Sequence, residues 1–361
     1  MQVHPKQLVS GCVLKDAVYG KTNHPIIPRQ TVIDQKHMQV LLHFGIESVV
    51  VSDMLDNGER FEPQKITETQ DEDEAKYTMT LPFETLYIQA VKQYKQIFTK
   101  WQSGSPVVMH EVREMIMPLF EKIDDVHLDL FLLHRFSNKE DYFYHHGISV
   151  ALISAHIAQK LGYEKEWIQI GLAGLLSDCG MAKIQMTPFH KTTQLTIEEY
   201  EEIKKHPTYS YKMIENISSL SKDVKIAILE HHERLDGSGY PLGVRDDKIH
   251  LFAKIIAVSD TYHAMTSERL YRPKQSPFKV MEELLRLQHY KFDHQVLQVF
   301  VQSLMNYTIG TQVQLSNGKK GYLVFIDEHD PTRPMVRLME NDEIISLKDK
   351  PTVFIEDIDT H

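Results

Sequence analysis

The sequence predicts a mainly α-helical, multidomain protein, with an all-α helical bundle between a small N-terminal α+β unit and a small C-terminal β-barrel. Apolar residues recur at helical spacing over roughly two hundred residues in the middle of the chain. Short β-type runs precede this region, and alternating ones follow it. A chain of 361 residues is also long for a single domain and favours about two or three.

The N-terminal unit is predicted over residues 1–55. A short helix is expected over Asp34–Leu42, with Asp34 as its cap, and a buried strand over residues 47–52. Residues 56–83 are polar and contain an acidic run at residues 70–74. A segment of this composition buries little apolar area, so it is predicted to be an acidic linker.

The helical domain is predicted over residues 84–306. Thr196 and Glu199 form a capping-box pattern, and Ser276 before Pro277 places an N-cap ahead of a first-turn proline. Helical spacing is found at Leu86–Trp101, Val107–Phe120, His127–Phe136, Tyr142–Leu161, Trp167–Leu176, Thr196–Ile214, Lys222–His232, Phe252–Ser267, Pro277–Leu287 and His294–Met305. Because no convincing strand separates these segments, we expect an all-α domain.

The C-terminal domain is predicted over residues 307–361, where the pattern changes to β alternation. Asn317-Gly318 is a strong hairpin signal, preceded by the apolar Val313 and Leu315. Further strand patterns lie at Tyr322–Ile326, Met335–Met339 and Glu343–Leu347. Short strands joined by tight turns predict a small barrel of the SH3-like type, which we expect to serve in homodimer formation or in binding a signalling protein.

Composition excludes several classes of function. A net charge of −10 argues against binding to nucleic-acid polymers or to an anionic membrane, since either needs a basic surface. No apolar run approaches the roughly 18 residues that span a bilayer, and the N-terminus lacks the pattern of a signal peptide. Two cysteines, Cys12 and Cys179, provide no disulfide framework and favour a reducing compartment. We therefore expect a cytoplasmic protein with no membrane span.

The most informative segment is residues 231–241, His-His-Glu-Arg-Leu-Asp-Gly-Ser-Gly-Tyr-Pro. Adjacent histidines and a glycine-rich turn favour a metal-site loop, because imidazole is the commonest metal ligand and glycine allows close approach to an anionic substrate. Further donors at predicted helix ends are His146, Asp178, His206 and Asp260. Each alone is more often a cap or a surface residue, but donors from several helices together predict a metal centre.

Residues 231–241 match HHExxDGxGYP, the signature of the HD-GYP family, and the resemblance extends from about Tyr142 to Phe300. Members of this family are metal-dependent phosphodiesterases that cleave the bacterial second messenger cyclic di-GMP. The resemblance implies two divalent metal ions, iron or manganese, both bridged by the catalytic Asp178. The remaining ligands would be His206, His231 and His232 for one ion and His146 and Asp260 for the other. Nitrogen and oxygen donors without thiolate agree with these metals.

The resemblance also assigns residues around the metals. The residues that would shape the catalytic loop are Asp236, Gly239 and Tyr240, and those that would contact phosphate or guanine are Arg269 and Arg272. Forked arginine donors suit a phosphate group. A metal-bridging hydroxide would form near neutral pH and attack the phosphorus in line, giving linear pGpG, GMP or both.

Three positions depart from the family pattern. Ser177 stands where the histidine of the His-Asp pair is expected, Met181 where the family has a lysine, and Tyr142 where members with three metals have a glutamate. The first two changes remove a metal ligand and a phosphate-binding cation, each able to lower the rate by orders of magnitude. The retained ligands and loop favour a phosphodiesterase of reduced activity. The alternative is an inactive module that acts as a cyclic di-GMP receptor or protein-interaction domain, and a mononucleotide phosphohydrolase is less favoured.

Overall fold

The computed structural model describes residues 1–19, 25–34, 37–38, 41, 46, 48–58, 60–61, 63, 81–123, 130, 132–184, 195–268, 274–304, 309–327 and 330–358. The chain divides into two compact units, Met1–Thr85 and Leu86–His361. This division does not test the domain boundaries at residues 56, 84 and 307, which stay predictions.

The first unit contains short antiparallel strand pairs around a small apolar core. Its strands are β1 (Gln2–Val3), β2 (Val18–Tyr19), β3 (Pro25–Ile27) and β4 (Val49–Val50), with β1 paired to β4 and β2 to β3. The strand predicted over residues 47–52 is present at its centre as β4, and the buried side chains of Val49 and Val51 belong to the core. The helix predicted over Asp34–Leu42 and the acidic run at residues 70–74 lie largely or wholly outside the described residues.

The chain after residue 81 is mainly helical. Its helices are α1 (Phe83–Gln102), α2 (Met109–Phe120), α3 (Tyr142–Lys160), α4 (Trp167–Leu176), α5 (Ile197–Ile203), α6 (His206–Ile214), α7 (Lys222–Glu230), α8 (Leu251–Thr266), α9 (Pro277–Arg286) and α10 (His294–Leu304). The Thr196–Glu199 capping box is confirmed. Among the described residues, no helix is both long enough and apolar enough to cross a membrane.

Two predicted helical segments differ from the structure. Thr196–Ile214 forms two helices, α5 and α6, separated by a turn at Lys204 and Lys205, because Pro207 has no N–H to donate to the preceding turn. The segment predicted at His127–Phe136 lies partly outside the described residues, and its described part contains a 3-10 turn at Leu133–Arg135. The split matters for function because it makes His206 the first residue of a new helix.

The centre of the second unit is α3, which packs against α4 and α8. Its side chains are buried on nearly every side between Phe143 and Ala158, which agrees with its apolar and small-residue sequence. Helix α7 packs against α6 and α8. Asp178, His206 and His231 lie at or just beyond helix ends, as expected. The other two donors expected at helix ends, His146 and Asp260, instead lie within α3 and α8.

The C-terminal strands are β5 (Gln312–Leu315), β6 (Lys320–Phe325), β7 (Met335–Leu338), β8 (Ile344–Ser346) and β9 (Ile355–Ile358). They pair antiparallel in the order β8-β7-β6-β5-β9, and the predicted hairpin at Asn317-Gly318 joins β5 to β6. The predicted closed barrel needs correction, because β8 and β9 are the edges of an open sheet formed by the described strands. The sequence pattern does not predict β9, since its buried residues Ile355 and Ile358 are three positions apart rather than alternating.

Candidate metal centre

Asp178 directly follows α4, in a turn that packs against the start of α6. The N–H of Gly180 donates to Ser210 Oγ at 2.8 Å, and this hydroxyl donates to Ser177 O at 2.6 Å. A Cβ on Gly180 would lie 2.3 Å from both His206 O and Ser210 N, so a larger residue would force the two segments apart. The close approach places the Asp178 carboxylate beside the His206 ring.

Four of the predicted ligands converge. One donor atom from each of Asp178, His206, His231 and His232 lies within 4.8 Å of the others. His206 Nε2 is 3.0 Å from Asp178 Oδ1 and 3.2 Å from His231 Nε2. His231 Nε2 is 3.8 Å from the same carboxylate oxygen. Ligands of one ion, each about 2 Å from it, are separated by roughly 3–4 Å, so these spacings suit a single ion.

His146 and Asp260 meet on the other side of Asp178. His146 Nε2 lies 3.0 Å from Asp260 Oδ1 and 3.7 Å from Asp178 Oδ2. Asp260 Oδ2 lies 3.9 Å from His232 Nδ1, which connects this group to the first cluster. The two oxygens of Asp178 thus face different histidines, Oδ1 towards His206 and Oδ2 towards His146. A carboxylate in this position can bridge two ions.

Backbone carbonyls orient two of the histidine rings. His206 Nδ1–H donates to Ile203 O, and His231 Nδ1–H donates to Ile228 O, each at 2.7 Å. A proton on Nδ1 leaves the Nε2 lone pair directed into the cluster, the arrangement in which metal-binding histidines are commonly held. Oriented imidazoles together with carboxylate oxygens therefore fit a divalent metal ion.

Burial and neighbouring charges set the protonation of these groups. Burial, followed by the charge of His231, lowers the pKa of His232 well below its ordinary value. Burial by itself raises the pKa of Asp178, but the interactions with the His206 and His231 rings outweigh it and hold that pKa well below the usual range. The interaction with the His146 ring likewise outweighs burial and lowers the pKa of Asp260. Neutral imidazoles and ionised carboxylates are the forms that bind metal.

The loop after His232 folds back onto the histidines. The N–H of Tyr240 donates to His232 O at 3.2 Å, and the Tyr240 ring stacks on the His232 ring. Gly239 lies so close to this segment that a Cβ would come within 2.4 Å of Glu233 Cα. The buried Glu233 closes the loop, since its Oε1 accepts the N–H groups of Leu242 and Gly243. Gly239 and Tyr240 therefore lie at the cluster, as predicted.

Of the other predicted site residues, only Asp236 is among the described residues. Asp236 is exposed and accepts the N–H of Ser238 at 2.9 Å, so it shapes the turn and is not one of the converging donors. Arg269 and Arg272 lie outside the described residues. Their contact with substrate stays a prediction.

Ser177 does not take the place of the missing histidine. Its buried Oγ donates to Gly174 O of its own helix at 2.8 Å. His145 does not replace it either, because its ring contacts Tyr87 and Asn138 instead. Within the described residues, the group formed by His146, Asp178 and Asp260 therefore has one ligand fewer than the family pattern.

The positions of Met181, Lys183 and Lys204 bear on the missing cation. Met181 is buried, and Lys183 is turned away, with its Nζ donating to Trp101 O at 3.2 Å. Lys204, in the turn between α5 and α6, instead lies beside the 231–241 loop, with Nζ 5.8 Å from the centroid of the Tyr240 ring. Sequence reasoning missed Lys204, because the contact joins two segments that are distant in sequence.

His263 is a second residue that sequence reasoning missed. It is buried on α8, three residues after Asp260, and its Nδ1 lies 3.1 Å from His146 Nδ1. The available signal was this spacing, since residues three apart share one face of a helix. The spacing of His263 from the predicted ligand Asp260 could therefore have indicated that His263 lies near the metal centre.

Comparisons with known proteins agree with this geometry. The model of the HD domain family matches residues 133–296, a range that contains every proposed metal ligand. A cyclic di-GMP phosphodiesterase of Pseudomonas aeruginosa, PA4108, is 32% identical over 203 residues, which cover 55% of this chain and 48% of that protein. Residues 133–296 thus form an HD domain, and the relatives named as cyclic di-GMP phosphodiesterases support its assignment to the HD-GYP family. In this HD-GYP domain the eponymous His-Asp pair is Ser177-Asp178.

Two further relatives of this chain differ in the substrate that their names state. The cyclic di-GMP phosphodiesterase PdeB of Borreliella burgdorferi is 28% identical over 210 residues, covering 58% of this chain and 55% of that protein. The 3'3'-cGAMP-specific phosphodiesterase 1 of Vibrio cholerae is 33% identical over 171 residues, covering 47% of this chain and 39% of that protein. The chain thus spans about half the length, or less, of these curated relatives.

Proposed function

We propose that this protein is a metal-dependent phosphodiesterase that hydrolyses cyclic di-GMP to linear pGpG, GMP or both, at a rate reduced by Ser177 and Met181. The observation that carries the proposal is the convergence of Asp178 with three histidines, whose donors lie within 4.8 Å of one another. Relatives named as cyclic di-GMP phosphodiesterases support the substrate class. Retention of the whole 231–241 loop supports catalysis over binding alone.

The proposed cofactors are two divalent ions, iron or manganese. One would be held by His206, His231 and His232, the other by His146 and Asp260, with Asp178 shared between them. Bound there, the ions would supply a nucleophilic water near neutral pH and neutralise charge on the phosphate. The chain itself contributes orientation, since backbone carbonyls set the rings of His206 and His231.

We also propose that Lys204 contributes a cation for the substrate phosphate. Its Nζ lies 5.0 Å from the centroid of Tyr200 and 5.8 Å from that of Tyr240, whose ring covers His232. The lysine that the family carries at the position of Met181 is absent, so a cation from the turn before α6 would neutralise the phosphate from another direction. Arg269 and Arg272 remain predicted contacts for the same substrate.

A cyclic di-GMP receptor is the second candidate. The observation that favours it is the hydroxyl of Ser177, which bonds to Gly174 O and leaves the His146 and Asp260 group one ligand short. A site that binds one ion firmly and the second weakly would retain the nucleotide without hydrolysing it efficiently. The two candidates therefore differ in turnover and agree on the ligand.

The proposal is tested by purifying the full chain without oxygen, measuring bound metal, and following cyclic di-GMP with added iron(II) or manganese(II). His232→Ala removes a ligand, and the exposed His110 provides a matched control as His110→Ala. Ser177→His restores the family ligand. We expect slow turnover by the unmodified protein and by His110→Ala, none by His232→Ala, and faster turnover by Ser177→His.

Other outcomes separate the alternatives. Binding of cyclic di-GMP with turnover only in Ser177→His would establish the receptor and refute the phosphodiesterase. Turnover of 3'3'-cGAMP in preference to cyclic di-GMP would keep the chemistry and change the substrate. Absence of both binding and turnover for either cyclic dinucleotide would refute both candidates.

A further inference from the structure

One helix, α8, contacts both nitrogens of the His146 ring. Asp260 Oδ1 lies 3.0 Å from Nε2, and His263 Nδ1 lies 3.1 Å from Nδ1. His146 belongs to α3, so the contact joins the two helices at the centre of the unit. The Nε2 side of the ring faces the carboxylates, and the Nδ1 side faces His263, which is buried to 1% exposure.

The hydrogen-bonding pattern defines how this pair must be protonated when His146 binds a metal. Coordination through Nε2 uses that lone pair, so the proton is on Nδ1 and is donated to His263 Nδ1. His263 then carries its own proton on Nε2, which lies 3.2 Å from Ser267 Oγ and donates to it. The Tyr142 hydroxyl oxygen, 3.3 Å from His146 Nδ1, is a second acceptor for the same proton. The His146 Nδ1 proton therefore has an acceptor in either contact.

We infer that His263 is a positioning residue for the metal ion held by His146 and Asp260, an assignment that rests on the proposed function. Ser177 leaves that ion with one ligand fewer, so the orientation of each remaining ligand has a larger effect on its affinity. His263 fixes the rotation of the His146 ring about its side-chain axis, with Nε2 directed between Asp178 and Asp260.

His263 is not a replacement for the ligand that is missing at Ser177. His263 approaches the nitrogen of His146 that is turned away from Asp178 and Asp260, so it cannot share an ion with His146 Nε2 at this position. His263 also differs from a purely structural core histidine, because its partner, His146, is a proposed metal ligand on a different helix. Its effect is therefore expected on metal affinity in preference to folding.

The test is a calorimetric titration of the full chain with manganese(II), comparing His263→Leu, His263→Asp and Thr266→Val. Leucine removes the acceptor for His146 Nδ1–H, and aspartate keeps one. Thr266→Val is the matched control, because Thr266 is also fully buried on α8 and its hydroxyl bonds only within that helix. Thermal unfolding without metal verifies that each variant is folded.

We expect His263→Leu to weaken one of two manganese sites by about 10- to 100-fold. His263→Asp should restore that affinity, and Thr266→Val should leave it unchanged. Equal affinities at both sites in the unmodified protein and His263→Leu would overturn the inference while leaving the proposed function in place. If His263→Leu does not fold, His263→Asn takes its place. The inference is then overturned if folded His263→Asn binds manganese as tightly as the unmodified protein, or if His263→Asp binds it more weakly. If the unmodified protein binds neither manganese(II) nor, without oxygen, iron(II), the proposed function itself is refuted.

Discussion

The Tyr240 ring stacks on the His232 ring, with centroids 4.6 Å apart and an interplanar angle of 27°. The hydrogen bond from Tyr240 N–H to His232 O holds the backbones of the two residues together. This pairing explains why the tyrosine and the histidine pair occur in one short motif: the end of the loop covers the ligands at its beginning. It also keeps water from one face of a proposed metal ligand, which agrees with the lowered pKa of His232.

Gly239→Ala is expected to disrupt this stacking. The added Cβ would lie 2.4 Å from Glu233 Cα and 2.5 Å from His232 O, and both are backbone atoms that cannot rotate away. Displacing the loop by about 1 Å should lower kcat/KM by on the order of 100-fold. Kinetics on cyclic di-GMP measure the effect, and Ser238→Ala, at an exposed neighbouring position, is the control. Equal kinetics for the two variants would show that the loop position does not matter.

Lys204→Met is expected to weaken cyclic di-GMP binding by about tenfold or more, the effect of losing one charge-assisted contact. Lys205 is a close control, since both lysines form ion pairs three residues back, Lys204 with Glu201 and Lys205 with Glu202. Lys204 also lies beside the Tyr240 ring. Nucleotide affinity at several salt concentrations is the measurement. A similar loss in Lys205→Met would indicate a general charge effect and contradict the specific contact.

Metal is expected to stabilise the fold. Manganese(II) at about 100 times its dissociation constant should add ~2.7 kcal/mol to the free energy of unfolding, seen as a higher Tm that a chelator reverses. Asp178→Asn should abolish this shift, because Asp178 faces both groups of ligands. His110→Ala should retain it. A Tm that does not change with manganese in the unmodified protein would argue against a metal centre.

The C-terminal sheet is expected to depend on Arg333. Its side chain is 10% exposed, and its guanidinium pairs with Glu282 of α9 and donates to Val353 O at 2.8 Å. Arg333→Met should lower the free energy of unfolding by on the order of 2–4 kcal/mol, because it leaves a largely buried carboxylate and a carbonyl without this donor. The exposed Lys319–Glu340 pair is the comparison, and Lys319→Met should leave the free energy of unfolding nearly unchanged because solvent screens the pair. Urea unfolding distinguishes them, and equal losses would contradict the assignment.

Much of the helical architecture was predictable from local pattern. Trp167–Leu176 was predicted with the bounds that the structure shows, and the Thr196–Glu199 capping box is confirmed. Prediction was weaker where pairing between strands decides the outcome. The hairpin at Asn317-Gly318 follows from local backbone preference, whereas β9 pairs with β5 across a register shift that no local pattern shows. The open sheet in place of a barrel has the same cause, since closure depends on how the edge strands meet.

The sequence by itself determined the resemblance to the HD-GYP family, the helical character and the candidate ligands His206, His231 and His232, because a dense motif places these residues at recognisable positions. Tertiary structure decided what lies around them. His263 and His146 are 117 residues apart in the sequence, and their contact follows from the packing of α3 against α8. The contact of Lys204 with the Tyr240 ring likewise joins residues that are distant in sequence. Spacing along one helix or loop is a local property, whereas contacts between helices depend on the packing of the whole unit.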